Sequence, residues 1–565
     1  MDHPFADVAA RASRVRLTPA GRSPLQRRAA ALAFASSLLL GACGGGGAPP
    51  DVATPLDLPA GRVSAASLMA PACTGGSSAG SFFTNAEVEP YVAVDPSNSN
   101  HLVATWQQDR WTDGGARAVM TANSLDGGRS WTRVLQPMSR CGGGSAANGG
   151  DYGRVSDPWV DIGLDGTVYA MSLAFSGIAG QASANAMLVS RSTDGGSSWS
   201  APTALIRDGA DFFNDKNTLT ADATDARYVY AVWDRLASAG GGPSFMVRST
   251  DAGVTWEPAR AIYAPAVTSQ TIGNRVVVLP DGTLVDFFTQ IDAAGVAASA
   301  HLDVVRSIDK GVNWSAPIRV SALQAVGARD PDTAAPIRDA AILGSIAVGP
   351  DGGLWAVWQD ARFSGGQRDA IALSRSTDGG LTWSAPVAIN RNPNVAAFIP
   401  IVHVRSDGTV GVMHYDLRSN TAERTTLLAD AWLLTSRDGV TWTETTVWSP
   451  FDMAGAPRVD GGLFLGDYQG LTSSGNSFLP VLALSSTDPN NRSDVYAIRV
   501  DGLATAARTT AQSLHTHAAR SAVTTPTGAL APQEFSQRVH QNIVRTMEQR
   551  LPGWSRRMRL DAPSP

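Results

Sequence analysis

Charge is scarce in this sequence: 17% of its 565 residues are charged and 43% are hydrophobic, against roughly 25% charged in an average soluble chain. That balance leaves ample apolar area for a core and excludes wholesale disorder. No long basic run occurs and the net charge is -5, so no nucleic-acid partner is expected. No apolar run approaches ~18 residues, so nothing reads as a permanent membrane span. The 8 His are scattered without metal-ligand spacing, and His515-Thr516-His517 reads as incidental. There is no phosphate loop, so no metal and no organic cofactor is expected. Helix formers are interrupted throughout by 56 Gly and 33 Pro, which excludes a long coiled coil and points to short strands and turns.

What is present begins with an export signal. Arg27 and Arg28 precede an apolar segment that ends in Leu40-Gly41-Ala42-Cys43, followed by Gly44 to Gly47. The motif resembles a bacterial lipobox, which implies lipidation of Cys43 and a flexible tether; an ordinary secretory signal containing a Cys is the alternative. Only Cys73 and Cys141 then remain. In an oxidising compartment they can pair as a disulfide, or they are unrelated buried thiols.

One pattern occurs six times. It runs Ser124-Leu125-Asp126-Gly127-Gly128-Arg129-Ser130-Trp131, and comes back around Asp194, Asp251, Asp309, Asp378 and, one residue shorter, Asp438. The Asp residues are 68, 57, 58, 69 and 60 apart, one supersecondary unit per repeat. A short carboxylate accepts backbone N–H bonds in a tight turn, Gly supplies positive φ, and Trp adds apolar area. The box is therefore a turn staple rather than a catalytic group. Around each box four strands are legible from alternation, as in Gly344–Val348, Leu354–Trp358, Ala370–Ser374 and Trp383–Val387. Four antiparallel strands per repeat predict an all-β propeller. Asp501-Gly502 falls where a seventh box would lie, so seven blades are expected, with six if two merge. The domain reading is a signal peptide over 1-42, a tether over 43-60, the propeller over 61-502, a linker over 503-530, and a C-terminal amphipathic helix and tail over 531-565. In that helix Phe535, Val539, Ile543, Met547 and Leu551 recur every fourth residue, either as packing or as a docking or membrane-surface face.

The boxes resemble the Asp-box, or BNR, repeat of sialidases and related propellers over roughly residues 85-500. If all boxes lie on one rim, the opposite rim carries the long connections and is the binding surface. Two sets of polar residues project there. Arg110, Arg235, Arg362 and Arg418 follow second strands; Glu89, Asp157, Asp215, Asp339 and Asp467-Tyr468 open first strands. The Asp–Arg pairs beside the second strands can equally be salt bridges repeated because the unit repeats.

The resemblance implies a Tyr nucleophile helped by a Glu, an Asp acid/base and three Arg for the sugar carboxylate, because an anionic sugar repels a carboxylate nucleophile. Carried over, Tyr468 is the nucleophile, Glu89 its helper, Asp157 the acid/base, and the four Arg the pool for the triad. The Arg-Ile-Pro type motif of that family is absent from the first blade; Arg550-Leu551-Pro552 lies in the tail. The expected function is a surface-anchored, monomeric sialidase-like exo-glycosidase acting on terminal acidic sugars. The alternative is a non-catalytic propeller that binds glycan or protein, since Asp-boxes also occur in propellers without sialidase activity.

Overall fold

The computed structural model describes residues 61–75, 80–177, 183–295, 297–501, 516–518, 528–558 and 560. The expected signal segment, Cys43 and the expected tether lie outside the described residues, as does most of the expected linker.

Antiparallel four-strand units follow one another along the chain. The first is Glu87–Asp95, Asn98–Arg110, Ala116–Ser124 and Thr132–Leu135, and the second is Arg154–Ile162, Val168–Phe175, Asn185–Ser192 and Thr203–Asp208; one residue pair, Ala116 with Val155, joins them. The pattern repeats from Phe212–Ala221, Ser269–Val278, Ser345–Val348 and Ala397–Val404, and a last unit is built from Gly470–Ser474, Ser477–Ser485 and Ser493–Ala497. Its fourth position is taken by the N-terminal segment. Arg62 bridges Tyr496, the Val63 N–H donates to the Val495 carbonyl at 2.8 Å, and an edge that would stand unpaired at the junction is covered. The seven first strands touch in cyclic order and the last touches the first. This is an all-β propeller, with each first strand innermost. Thr516–Ala518 adds a short edge strand beside Thr441–Thr443, within the span expected to be linker.

The order follows from alternation on two-sided, buried strands. Val92, Leu102, Ala104 and Trp106 are buried together in one cluster, and Trp106, Trp233 and Trp358 recur at the same place in their second strands, each wholly buried. Burial would strand their indole N–H groups. Gln108, Asn214 and Asp360 accept them at 3.0, 2.7 and 2.9 Å.

Every box forms the turn between third and fourth strands, so all six lie on one rim. In the first, Asp126 Oδ1 accepts the N–H groups of Arg129 and Ser130 at 2.9 Å, and the Trp131 indole donates to the Gly128 carbonyl at 3.1 Å. Asp194, Asp251, Asp309, Asp378 and Asp438 accept the equivalent turn N–H groups. Cys73 and Cys141 are disulfide-bonded, tying the N-terminal segment to the connection between the first two units.

The C-terminal helix spans Pro532–Arg550, with Pro at its start, where a missing N–H costs nothing. Ile543, Met547 and Leu551 of the expected stripe are buried, and a second short helix, Trp554–Arg557, follows.

Candidate active site

On the rim opposite the boxes, five of the seven first strands enter the ring through an irregularity. The register slips between Val88 and Tyr91, Ser156 and Trp159, Ile272 and Arg275, and Phe398 and Ile401. A residue at positive φ sits at or beside each slip: Glu89 at 53°, Asp157 at 51°, Gly273 at 73° and Ile399 at 52°; Lys216, at 48°, holds the same place in the third unit. A bulge re-aims one side chain, here into the axial mouth. The bulge recurs in five units, but charged residues occupy it in three consecutive units only. Left-handed backbone at non-Gly residues costs of order 1–3 kcal/mol each, and such strain concentrates at functional sites.

These side chains meet. The Lys216 ammonium lies 3.1 Å from Asp157 Oδ1, 2.8 Å from Asp467 Oδ2 and 3.6 Å from Glu89 Oε1. Converging carboxylates call for a cation, and the cation here is Lys216. Further bonds fix each carboxylate. Gln107 donates to Glu89, the Asp467 N–H donates to Glu89 Oε1 at 3.1 Å, and Asp157 accepts the Ser156 hydroxyl at 2.8 Å and the Lys216 N–H at 3.1 Å. Arg110 donates to Gln107 Oε1 at 2.6 Å; Arg338 and Arg550 approach Asp467 Oδ2 at 3.3 and 3.1 Å. All of these acids are at most 3% exposed.

Burial and neighbours drive the two flanking carboxyls apart. Burial pushes Glu89 up to about 7, Lys216 pulling against it and Asp157 and Asp467 adding to it. Burial acts the same way on Asp157, but there the Lys216 ammonium together with the hydrogen bonds of Ser156 and Asp215 holds the group down at about 2. Burial pushes Asp215, which also lines the mouth, up to about 6. Asp467 is pulled down despite burial by Arg550, Lys216 and Arg338. The mouth therefore holds, at neutral pH, a carboxyl able to donate a proton beside one that stays ionised.

The structure gives Tyr468 a different place from a poised nucleophile. Its hydroxyl donates to the Pro158 carbonyl at 2.9 Å, its ring packs edge-on against Trp159, and burial, with Glu89, Asp157 and Asp467 adding to it, drives its pKa well up. Of the four expected arginines only Arg110 turns inward. Arg235 is forked onto Asp208, Arg362 onto Asp360, and Arg418 onto Asp416 and Glu444. Asp360 and Asp416 end the second strands that Arg362 and Arg418 follow, and Asp208 ends the fourth strand of the unit beside Arg235, so each guanidinium takes a nearby partner rather than the shared axis. Asp339 likewise accepts the Gln359 amide at 2.9 Å, away from the cluster.

Sequence reasoning missed Lys216, Gln107, Ser156, Arg338 and Arg550. For Lys216 a signal existed: the chain contains only two lysines, Lys216 and Lys310, among many arginines. Among the described residues no group of three or more His, Cys, Asp or Glu is arranged to hold a metal ion, and no helix is long and apolar enough to cross a membrane.

No protein-family model matches the chain, and no curated protein matches its sequence. Solved structures with a similar course include a protein of unknown function from Dyadobacter fermentans, at 15% identity over 59% of this chain and 90% of that one, TM-score 0.40. A GH93 α-L-arabinofuranosidase of Fusarium graminearum shares 14% identity over 61% and 93%, TM-score 0.38. A sialidase from Streptococcus pneumoniae shares 12% over 79% and 71%, TM-score 0.38.

Proposed function

We propose that this chain is a propeller glycoside hydrolase, exported and anchored through Cys43, whose mouth carries out acid-assisted cleavage of a glycosidic bond. The observation that carries the reading is the pair Glu89 and Asp157, held around one ammonium and displaced in opposite directions in proton affinity. Glycoside cleavage needs both states at once: a protonated carboxyl to donate to the leaving oxygen, and an ionised one to activate water or to attack. Glu89 is the donor. Asp157 is the ionised partner, and Lys216 keeps it so. Tyr468 shapes the mouth through its ring, and Arg110 and Arg338 supply positive charge for polar or acidic groups of the glycan. With Arg235, Arg362 and Arg418 engaged elsewhere, three arginines from that set are not on hand to grip a sialic acid carboxylate, so the sugar is left to the assay.

The test is hydrolysis of aryl glycosides, an α-sialoside and an α-L-arabinofuranoside among them, by the purified chain, Glu89→Gln and Asp157→Asn. Loss of a general acid costs about 10²–10⁴-fold on poor leaving groups and far less on dinitrophenyl glycosides, which need no protonation. Asp157→Asn should depress both. Equal activity in all three proteins removes the pair from the chemistry. A binding-only module is favoured by one observation: the cavity at the mouth is about 50 Å³, room for water rather than a sugar.

A further inference from the structure

That small cavity has a cause within the chain. The lining of the mouth includes Gln549, Arg550 and Pro552, where the C-terminal helix ends. Ligand sites usually enclose ~300–1,000 Å³, so no sugar enters while this segment stays in place.

The segment is seated by an apolar face and a few polar seams. Ile543, Met547, Leu551, Trp554 and Met558 are buried. The Trp554 indole donates to Gln270 at 2.6 Å, and the Asn542 amide donates to the Ala325 carbonyl at 3.1 Å. Arg550 reaches furthest in. Its side chain is 2% exposed and lies 3.1 Å from Asp467 Oδ2, yet none of its guanidinium nitrogens makes an aligned hydrogen bond. Arg418, by contrast, is forked onto Glu444 at 2.7 and 3.0 Å. A structural arginine is clamped by geometry; Arg550 is held by charge alone, which a competing ligand can replace.

We propose that the segment from Pro532 to Leu560 is an intramolecular strap, with Arg550 as a tethered plug in the acidic mouth, and that the site opens by displacing it. The proposal rests on the mouth being the functional site, but it does not need that site to be a glycosidase.

The experiment measures access directly. Ser156 lines the cavity, so Ser156→Cys is labelled with iodoacetamide in the full chain and quantified by peptide mass spectrometry, which separates it from Cys43. Labelling should quicken at least tenfold when Arg550→Ala is added, and millimolar guanidinium, filling the vacated place, should slow it again. Trp554→Ala, which releases the strap at a different anchor, should quicken labelling without any response to guanidinium. Labelling rates within twofold of each other in both backgrounds, with amide exchange showing the helix Pro532–Arg550 released, overturn the strap. Glycoside hydrolysis by Trp554→Ala with Ser156 and Arg550 intact keeps the readings apart: faster labelling without hydrolysis removes the glycosidase and keeps the strap, and hydrolysis with unchanged labelling does the reverse.

Discussion

Replacing Glu89 by Gln isolates the physical feature on which the proposed chemistry depends. The carboxyl is raised from 4.5 to about 7, and at 1.36 kcal/mol per unit its ionisation within the fold costs about 3 kcal/mol. The direction follows from proton counting. Below pH 4.5 the group is protonated both folded and unfolded. Between 4.5 and about 7 the unfolded chain has released the proton and the folded chain has not, so stability falls as pH rises; above about 7 the loss is complete. Gln carries no such loss. Its amide oxygen can accept the Asp467 N–H, and any mismatch with the Gln107 amide is the same at every pH. Urea unfolding of parent and variant at about pH 4.5 and pH 8 should therefore show the variant gaining about 3 kcal/mol on the parent between the two. Infrared titration should show a protonated-carboxyl band, lost in the variant, that disappears with a midpoint of about 7. A stability difference that is the same at both pH values, or a band gone by pH 5, refutes the reasoning.

Tyr468→Phe removes a hydroxyl that donates to the Pro158 carbonyl; it should cost about 1 kcal/mol of stability and leave hydrolysis within a few-fold, whereas a loss of ~10³ in kcat would make the phenol a nucleophile after all. Asp126→Ala strands the turn N–H groups of Arg129 and Ser130 and should lower stability by about 1–2 kcal/mol in urea unfolding with kcat unchanged; an effect on kcat instead would give the box a role beyond its turn. Reducing the bond between Cys73 and Cys141, 68 residues apart, should cost about 4 kcal/mol on a chain-entropy basis; an unchanged melting temperature in reductant contradicts that.

The ring was legible because its determinants are local. Ser124, Asp126, Gly128 and Trp131 build a turn from neighbours within eight residues, and the alternation in strands such as Val168–Phe175 needs no distant partner to be read. Glu89, Asp157 and Asp467 were found because first strands are innermost, a consequence of the repeat. What the sequence hid is long-range. Whether Arg235 turns toward the axis or reaches Asp208 depends on how the neighbouring unit's fourth strand, 27 residues earlier, packs beside it. Arg550 reads as part of a basic helix face, and nothing local reveals that the chain returns from residue 501 to lay it against Asp467. Lys216 is marked only by its rarity and by a bulge that alternation cannot show.

If Glu89 donates a proton while Asp157 stays charged, the dependence of kcat/KM on pH carries the signature of both groups. Hydrolysis should hold level through the acid range toward the low pKa of Asp157 and fall on the alkaline side with a midpoint of about 7, as Glu89 loses its proton. In Glu89→Gln the alkaline fall should vanish along with most of the rate. A profile that instead rises through neutrality, or keeps its alkaline limb in that variant, contradicts the assignment.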